Sequence, residues 1–240
     1  MEALEIHTIF TLTVLGHAIP ITETVIVSWV VMLVLICASL LFVGRLKAIP
    51  SGPQAIIEAM VEFLNNFSRN QFGHFSKYLS AYIGSLFLFL VTANIIGVLS
   101  PMTVKAFGHE FHPLYHIRPP ARDINVAAAL AAMSIALVLV CGFAARGFGG
   151  WFKRLLHPLP MMLPFNIMEY GTRLVSLALR LFGNILGAFV LMHLIEGLCP
   201  LVLPMVFSLY FDFFDGMIQA AIFVFLTCLY ISEAVKLHEE

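Results

Sequence analysis

Two polar stripes run through otherwise apolar sequence. Between Phe165 and Cys199, the residues Glu169, Arg173, Ser176, Arg180, Asn184 and Gly187 recur at steps of three or four, which places them on one face of a helix. Between Met205 and Val235, Ser208, Asp212, Asp215 and Gln219 recur at steps of four, three and four, a second face of the same kind. Arg180 is the one arginine of SLALRLFGNILGAFVLMHLI and lies near the middle of the longer run Phe165–Cys199. A guanidinium does not shed its proton in a protein, and holding it at mid-bilayer costs at least ~2.5–3.5 kcal/mol. Two chemistries could offset that cost. One is structural, with Arg180 snorkelling or forming an ion pair with Asp212 or Asp215; the other is a pathway for ions, which intramembrane ionisable residues commonly mark. In an antiparallel hairpin Arg180 lies roughly 22 Å from the turn, with Asp212 nearer the turn and Gln219 between, so a long rise separates Arg180 from Asp212. Glu169 and Arg173, at i and i+4, fit a local pair. Gly183 and Gly187 form a small-xxx-small pair beside Arg180 where another helix can approach closely.

The elements that position these stripes belong to a membrane. The 240 residues are 60% hydrophobic and 11% charged, with a mean hydropathy of +0.96, against about 45–50% apolar and about 25% charged in soluble domains. Val25–Val43, Tyr78–Leu99 and Val126–Ala145 are uncharged and long enough to cross about 30 Å of hydrocarbon as helices. Within Ser51–Asn70, Ile57, Met60, Leu64 and Phe67 fall on one face while Glu58, Glu62, Asn65 and Arg69 fall elsewhere, which predicts an amphipathic interfacial helix over about 54–68. Phe165–Cys199 and Met205–Val235 lack proline; as helices they would be roughly 50 and 45 Å long, more than a bilayer accommodates upright. GLCPLVLP, with Gly197, Pro200 and Pro204, breaks between them. The expectation is an all-α, polytopic integral membrane protein: an N-terminal segment 1–24, three upright helices and the interfacial helix within 25–164, a strongly tilted helical hairpin over 165–235, and a tail 236–240.

Eight basic residues (Arg45, Lys47, Arg69, Lys77, Arg146, Lys153, Arg154 and Lys236) share one side under this topology, against Lys105, Arg118 and Arg122 on the other. The richer side should be cytoplasmic, with the N-terminus outside and the C-terminus cytoplasmic. MEALEIHTIF has acids where a secretory leader carries bases, so neither a cleavable leader nor a transit peptide is expected. Cys37, Cys141, Cys199 and Cys228 are scattered through apolar runs and fit buried free thiols better than disulfides or a metal site. A net charge of −1 gives no nucleic-acid footprint. HEFHPLYH, holding His109, His112 and His116, is one residue short of HExxH and carries Pro113, so a surface loop and no metal site is expected there. No GxxxxGK[ST] loop occurs, so the chain should bind no nucleotide.

SLALRLFGN, the later IQAAIF, DINVAAALAAM, ARGFGGWFK and ANIIGVLSP together closely resemble subunit a of rotary F-type ATP synthases, in consistent order from about Ser85 to Glu233. The resemblance implies a proton-translocating stator subunit with no cofactor and no catalysis by this chain alone. Its partners would be a c-ring of small hairpin subunits, a stator stalk subunit b, the soluble ATPase sector and membrane lipid. The setting implied is a bacterial inner (plasma) membrane. Arg180 would face the ring, promote release of a proton from each ring carboxyl, and block direct leak between two offset half-channels; opposite charge favours the carboxylate.

By the same resemblance Asn184 and Gln219 correspond to the family's polar partners near the arginine, and Asn94 and Asn125 to positions around the outer half-channel. Ser176 would line the path too, and Glu169 and Arg173 fit the inner approach. Interhelical hydrogen bonding, worth ~1 kcal/mol each, is the alternative for Asn94, Asn184 and Gln219. Nine residues past the arginine, where many members carry Glu or His, this chain has Phe189, which cannot relay a proton. His193, Asp212 and Asp215 are the candidates to replace it on the outer path, with a packed polar side chain the alternative for His193. Two other function classes compete. A self-sufficient transporter would show interrupted half-repeats, and an intramembrane hydrolase would show a nucleophile–base pair or metal motif; neither stands out.

Overall fold

A computed structural model of the chain describes residues 8–14, 17–43, 52–72, 76–98, 104–106, 109–111, 119–156, 159–198, 207 and 209–235. Among the described residues six α-helices carry the architecture: α1 (Glu23–Val43), α2 (Pro53–Phe72), α3 (Ser76–Val98), α4 (Ile124–Leu156), α5 (Leu163–Leu198) and α6 (Gly216–Val235). All but α2 are long and apolar enough to cross a bilayer, so the chain is an all-α polytopic membrane protein in its spanning part. Two short antiparallel ribbons that the pattern reading did not anticipate lie outside the helices: β1 (Thr8–Val14) with β2 (His17–Thr22), and β3 (Val104–Ala106) with β4 (His109–Phe111). The signal for the first was present in TIFTLTV, which is rich in β-branched residues. His109 opens β4, so it is not on the helix that an HExxH site needs; His112 and His116 lie outside the described residues.

The chain divides into two compact units, and every one of these helices except α2 contributes to both. The first comprises Met1–Leu41, Leu88–Ala127 and Leu181–Ala220. Here the start of α4 is fixed by Asp123, which is buried. Its carboxylate accepts the Thr24 hydroxyl at 2.9 Å and the Asn125 backbone N–H at 2.9 Å, an N-cap that satisfies one orphan donor of the helix. A 3-10 turn, Pro120–Arg122, leads into this cap. Before α6, Leu209–Asp215 (LYFDFFD) winds as a π-helix rather than continuing the α-helix expected from Met205 on. Asp212 and Asp215 therefore lie in the π segment and Gln219 in the α-helix after it, so their three-four spacing does not run along one continuous α-helix; Ser208 lies outside the described residues. The wider π turn changes the angle between successive side chains.

The second unit comprises Phe42–Phe87, Ala128–Arg180 and Ala221–Glu240. Buried residues recur at helical spacing along α6 (Phe223, Val224, Thr227, Cys228, Ile231) and along α4 (Ala131, Ser134, Ile135, Val138, Cys141). In hydrocarbon such faces gain from close packing and hydrogen bonds rather than from leaving water. Ser232 Oγ donates to the Gln71 carbonyl at 3.0 Å, tying α6 to the last turn of α2. On α2, Leu64 is buried and Ile57, Met60 and Phe67 are half-buried, while Glu58, Glu62, Asn65 and Arg69 are exposed, the split that the pattern predicts. The Phe67 and Phe225 rings lie 6.2 Å apart.

In α4, Gly147 breaks the helix at φ 69°, ψ 167°. Only glycine occupies that region without strain, and the break follows the expected span 126–145. Past it the chain turns back, and the Trp151 ring meets Phe143 at 4.5 Å between centroids. Gly142 makes room for this: a Cβ there would lie 3.3 Å from Trp151 Cδ1. Cys37, Cys141 and Cys228 are free thiols; Cys141 and Cys228 are buried as expected, Cys37 is exposed on the apolar α1, and Cys199 lies outside the described residues.

Candidate functional site

The α5 helix is unbroken for 36 residues, about 54 Å at the usual rise. One face is covered by the chain itself, through Leu177, Ala178, Leu181 and Met192. Ser176, Leu179, Arg180, Gly183 and Gly187 are exposed, and Asn184 is half-buried. No described residue forms an ion pair or hydrogen bond with Arg180. The Asp212 side chain lies outside the described residues.

The contrast with Arg173, seven residues earlier, is direct. The Arg173 guanidinium contacts the Glu169 carboxylate, as the i, i+4 spacing predicts, and also donates to Glu233 Oε2 at 2.7 Å. Its guanidinium carbon lies 4.6 Å from the centre of the Tyr230 ring. Arg173 is thus neutralised within its own chain, and its side chain retains 14% exposure, against 52% for Glu169 and 46% for Glu233. The stripe reading found Glu169 but not Glu233, whose only sequence signal is that it is an acid in the final turn of a long apolar helix.

In the first unit, Asn94 and Gln219 are both buried. Asn94 Nδ2 donates to the Gly216 carbonyl at 2.9 Å, at the junction between the π-helix and α6. A Cβ on Gly216 would sit 2.9 Å from Asn94 Cβ, closer than real side chains approach, so glycine is required for this contact. Gln219 Nε2, one turn further, has no hydrogen-bond partner among the described residues. Asp215 is half-buried, and Asn125 is exposed with its backbone N–H on Asp123. His193 is exposed on α5, its ring 4.3 Å from that of Phe189. The guanidinium carbon of Arg122 lies 3.7 Å from the centre of the same phenyl ring. The sequence reading used Arg122 only as a topological charge.

Arg180 is thus exposed on a helix that packs another of its faces, with Gly183 and Gly187 exposed beside it. The sequence matches the ATP synthase A chain family over residues 25–232. The chain belongs to that family. It is similar to "ATP synthase subunit a, sodium ion specific" from Propionigenium modestum, at 32% identity over 219 residues, covering 91% of this chain and 76% of that protein. Membership makes it a multi-pass, ion-translocating stator subunit in the membrane sector of an F-type ATP synthase.

Proposed function

We infer that Arg180 is the cation past which the carboxyls of a rotating c-ring are carried, and that this chain supplies two offset half-channels to that ring. The observation that carries this reading is the bare guanidinium on α5. A permanent charge with no described partner in its own chain finds its counter-ion in a neighbouring one, and burial of an ion is tolerated only when it is paired. A ring carboxyl reaching Arg180 is favoured in its ionised form and gives up its proton to the exit side. The same fixed charge repels a proton moving straight between half-channels. Lysine would not substitute, since desolvation can neutralise it and it lacks the planar fork.

The carried ion is the proton. His193 and Asp215, with Asp212, are groups that exchange protons, and they form the access path from outside, replacing a relay at Phe189. The free Nε2 of buried Gln219 supports a polar path or partner near α6, because an unsatisfied buried donor costs about 1–3 kcal/mol. Asn184 and Ser176 line the ring-facing side, Asn94 and Asn125 the outer half-channel, and Glu169 and Arg173 the inner approach. With α5 at about 54 Å, strong tilt fits it to a bilayer of about 30 Å. The N-terminus lies outside a bacterial inner membrane, α2 lies along the interface, and subunit b and the soluble ATPase sector complete the assembly; this chain alone catalyses nothing.

Cysteine placed at Ser176 or Gly183 should cross-link to a ring hairpin in the assembled enzyme, whereas cysteine at buried Leu177 should not. Equal capture at Leu177 would argue against a ring-facing stripe. Full coupling retained in Asp212→Asn, Asp215→Asn and His193→Ala, each tested separately, would sink the access path. ATP-driven acidification should run at full rate without sodium; a strict sodium requirement would contradict proton carriage.

A further inference from the structure

Arg122, Phe189 and His193 form a stack that the reading above leaves unused. The backbone of Arg122 is held on both sides. Its N–H donates to the Pro119 carbonyl at 3.1 Å, and the next residue, Asp123, is buried and anchored to Thr24. From this fixed base the guanidinium lies over the Phe189 ring at 3.7 Å, within the distance at which a cation is attracted to an aromatic face. Phe189 in turn meets the His193 ring at 4.3 Å between centroids, tilted by 52°. His193 follows Phe189 by one helical turn on α5 and is itself exposed.

We propose that Arg122 is a positioning residue for ion access: stacked on Phe189, it fixes the orientation of the His193 imidazole that passes protons toward the ring. Phe189 cannot carry a proton, but its ring can couple a cation on one element to an imidazole on another. An unrestrained imidazole on an exposed helical face samples several rotamers, of which only some align with a given donor and acceptor. Pinning the phenyl narrows that set. The guanidinium suits this role because it is planar, stacks on aromatic rings and stays charged at every working pH. This rests on the reading of His193 as part of the access path.

The test uses the complete ATP synthase in inverted membrane vesicles, with ATP-driven acidification normalised to bound ATPase. Arg122→Gln and Phe189→Leu should each slow pumping about 2- to 30-fold, the factor equivalent to an exposed-to-desolvated cation–π contact. The double variant should be no slower than the slower single one, and Phe189→Trp, which keeps an aromatic face, should stay near the unmodified rate. In a His193→Ala background, Arg122→Gln should have no further effect, a result that loss of packing alone would not give. Wild-type rates in both single variants, multiplying effects in the double, or equal slowing in the His193→Ala background would each overturn the proposal. Should Arg122→Gln not reach the membrane, Phe189→Leu against Phe189→Trp decides the same question. If His193→Ala pumps at the wild-type rate, the access path and the proposal fall together. A wild-type rate in Arg122→Gln with His193→Ala impaired removes the proposal and leaves the path intact.

Discussion

The side-chain amide of Asn94 closes on the carbonyl of Gly216 at 2.9 Å, where a π-helix gives way to the last α-helix. A π segment displaces its hydrogen-bond ladder by one residue, and an amide from α3 meets the backbone at the point where the regular ladder resumes. Gln219 follows within one turn, so the clamp fixes the height and rotation at which that glutamine is presented.

Gly216→Ala should therefore be damaging for so small a change. The added methyl would lie 2.9 Å from Asn94 Cβ, and forced overpacking costs about 1–3 kcal/mol. Thermal unfolding of the purified complex should show the loss. Unchanged stability would mean that the two helices separate freely at this contact.

Asn94→Ala removes the donor and not the space. The Gly216 carbonyl is then left without its side-chain partner, an effect of about 1–3 kcal/mol for a buried group. Pairing it with Gly216→Ala should give somewhat less than the sum of the two losses, because the amide atoms 3.2 and 3.3 Å from the added methyl are gone while the Cβ at 2.9 Å stays. Additive losses in a double-mutant cycle would show that the two sites act independently.

At Gly147 the strain is purely in the backbone. No atom lies within 4 Å of a Cβ built there, yet φ 69° with ψ 167° is glycine territory. Gly147→Ala should cost on the order of 1–3 kcal/mol and loosen the return of Trp151 onto Gly142, read as a change in tryptophan emission. An unaltered spectrum and melting temperature would show that the break tolerates a side chain.

The Arg173 cluster should respond asymmetrically. Glu169 and Glu233 are about half exposed, so Glu233→Gln should cost no more than about 1 kcal/mol after solvent screening. Arg173→Leu leaves two carboxylates facing each other and should cost more, with Glu233→Gln partly restoring stability in that background. Equal losses from the two single substitutions would contradict the arrangement.

How far the sequence could be read depended on the range of each interaction. The spans were legible because crossing hydrocarbon demands an uninterrupted apolar run, and α1, α3 and α4 begin within two residues of the predicted starts. The amphipathic α2 was legible from its period. Arg180 could be singled out because its cost in a membrane follows from residue type alone. The π-helix could not be read, since LYFDFFD has no breaker and its winding is supported by a hydrogen bond from Asn94, 122 residues away. Glu233 and Arg122 were missed for the same reason: an ion pair across 60 residues and a stack across 67 leave no local spacing. The N-terminal ribbon has its only local signal in the β-branched residues of TIFTLTV, a stretch too short for its pattern to specify a strand without its partner HAIPIT.

The guanidinium of Arg180, which has no ion-pair partner among the described residues, is indispensable to coupled transport in this reading. This is tested most directly by ATP-driven acidification of vesicles carrying Arg180→Ala in the whole enzyme, with nucleotide hydrolysis by the detached soluble sector as the control. Acidification should vanish while detached hydrolysis persists. Acidification at the unmodified rate would contradict the account.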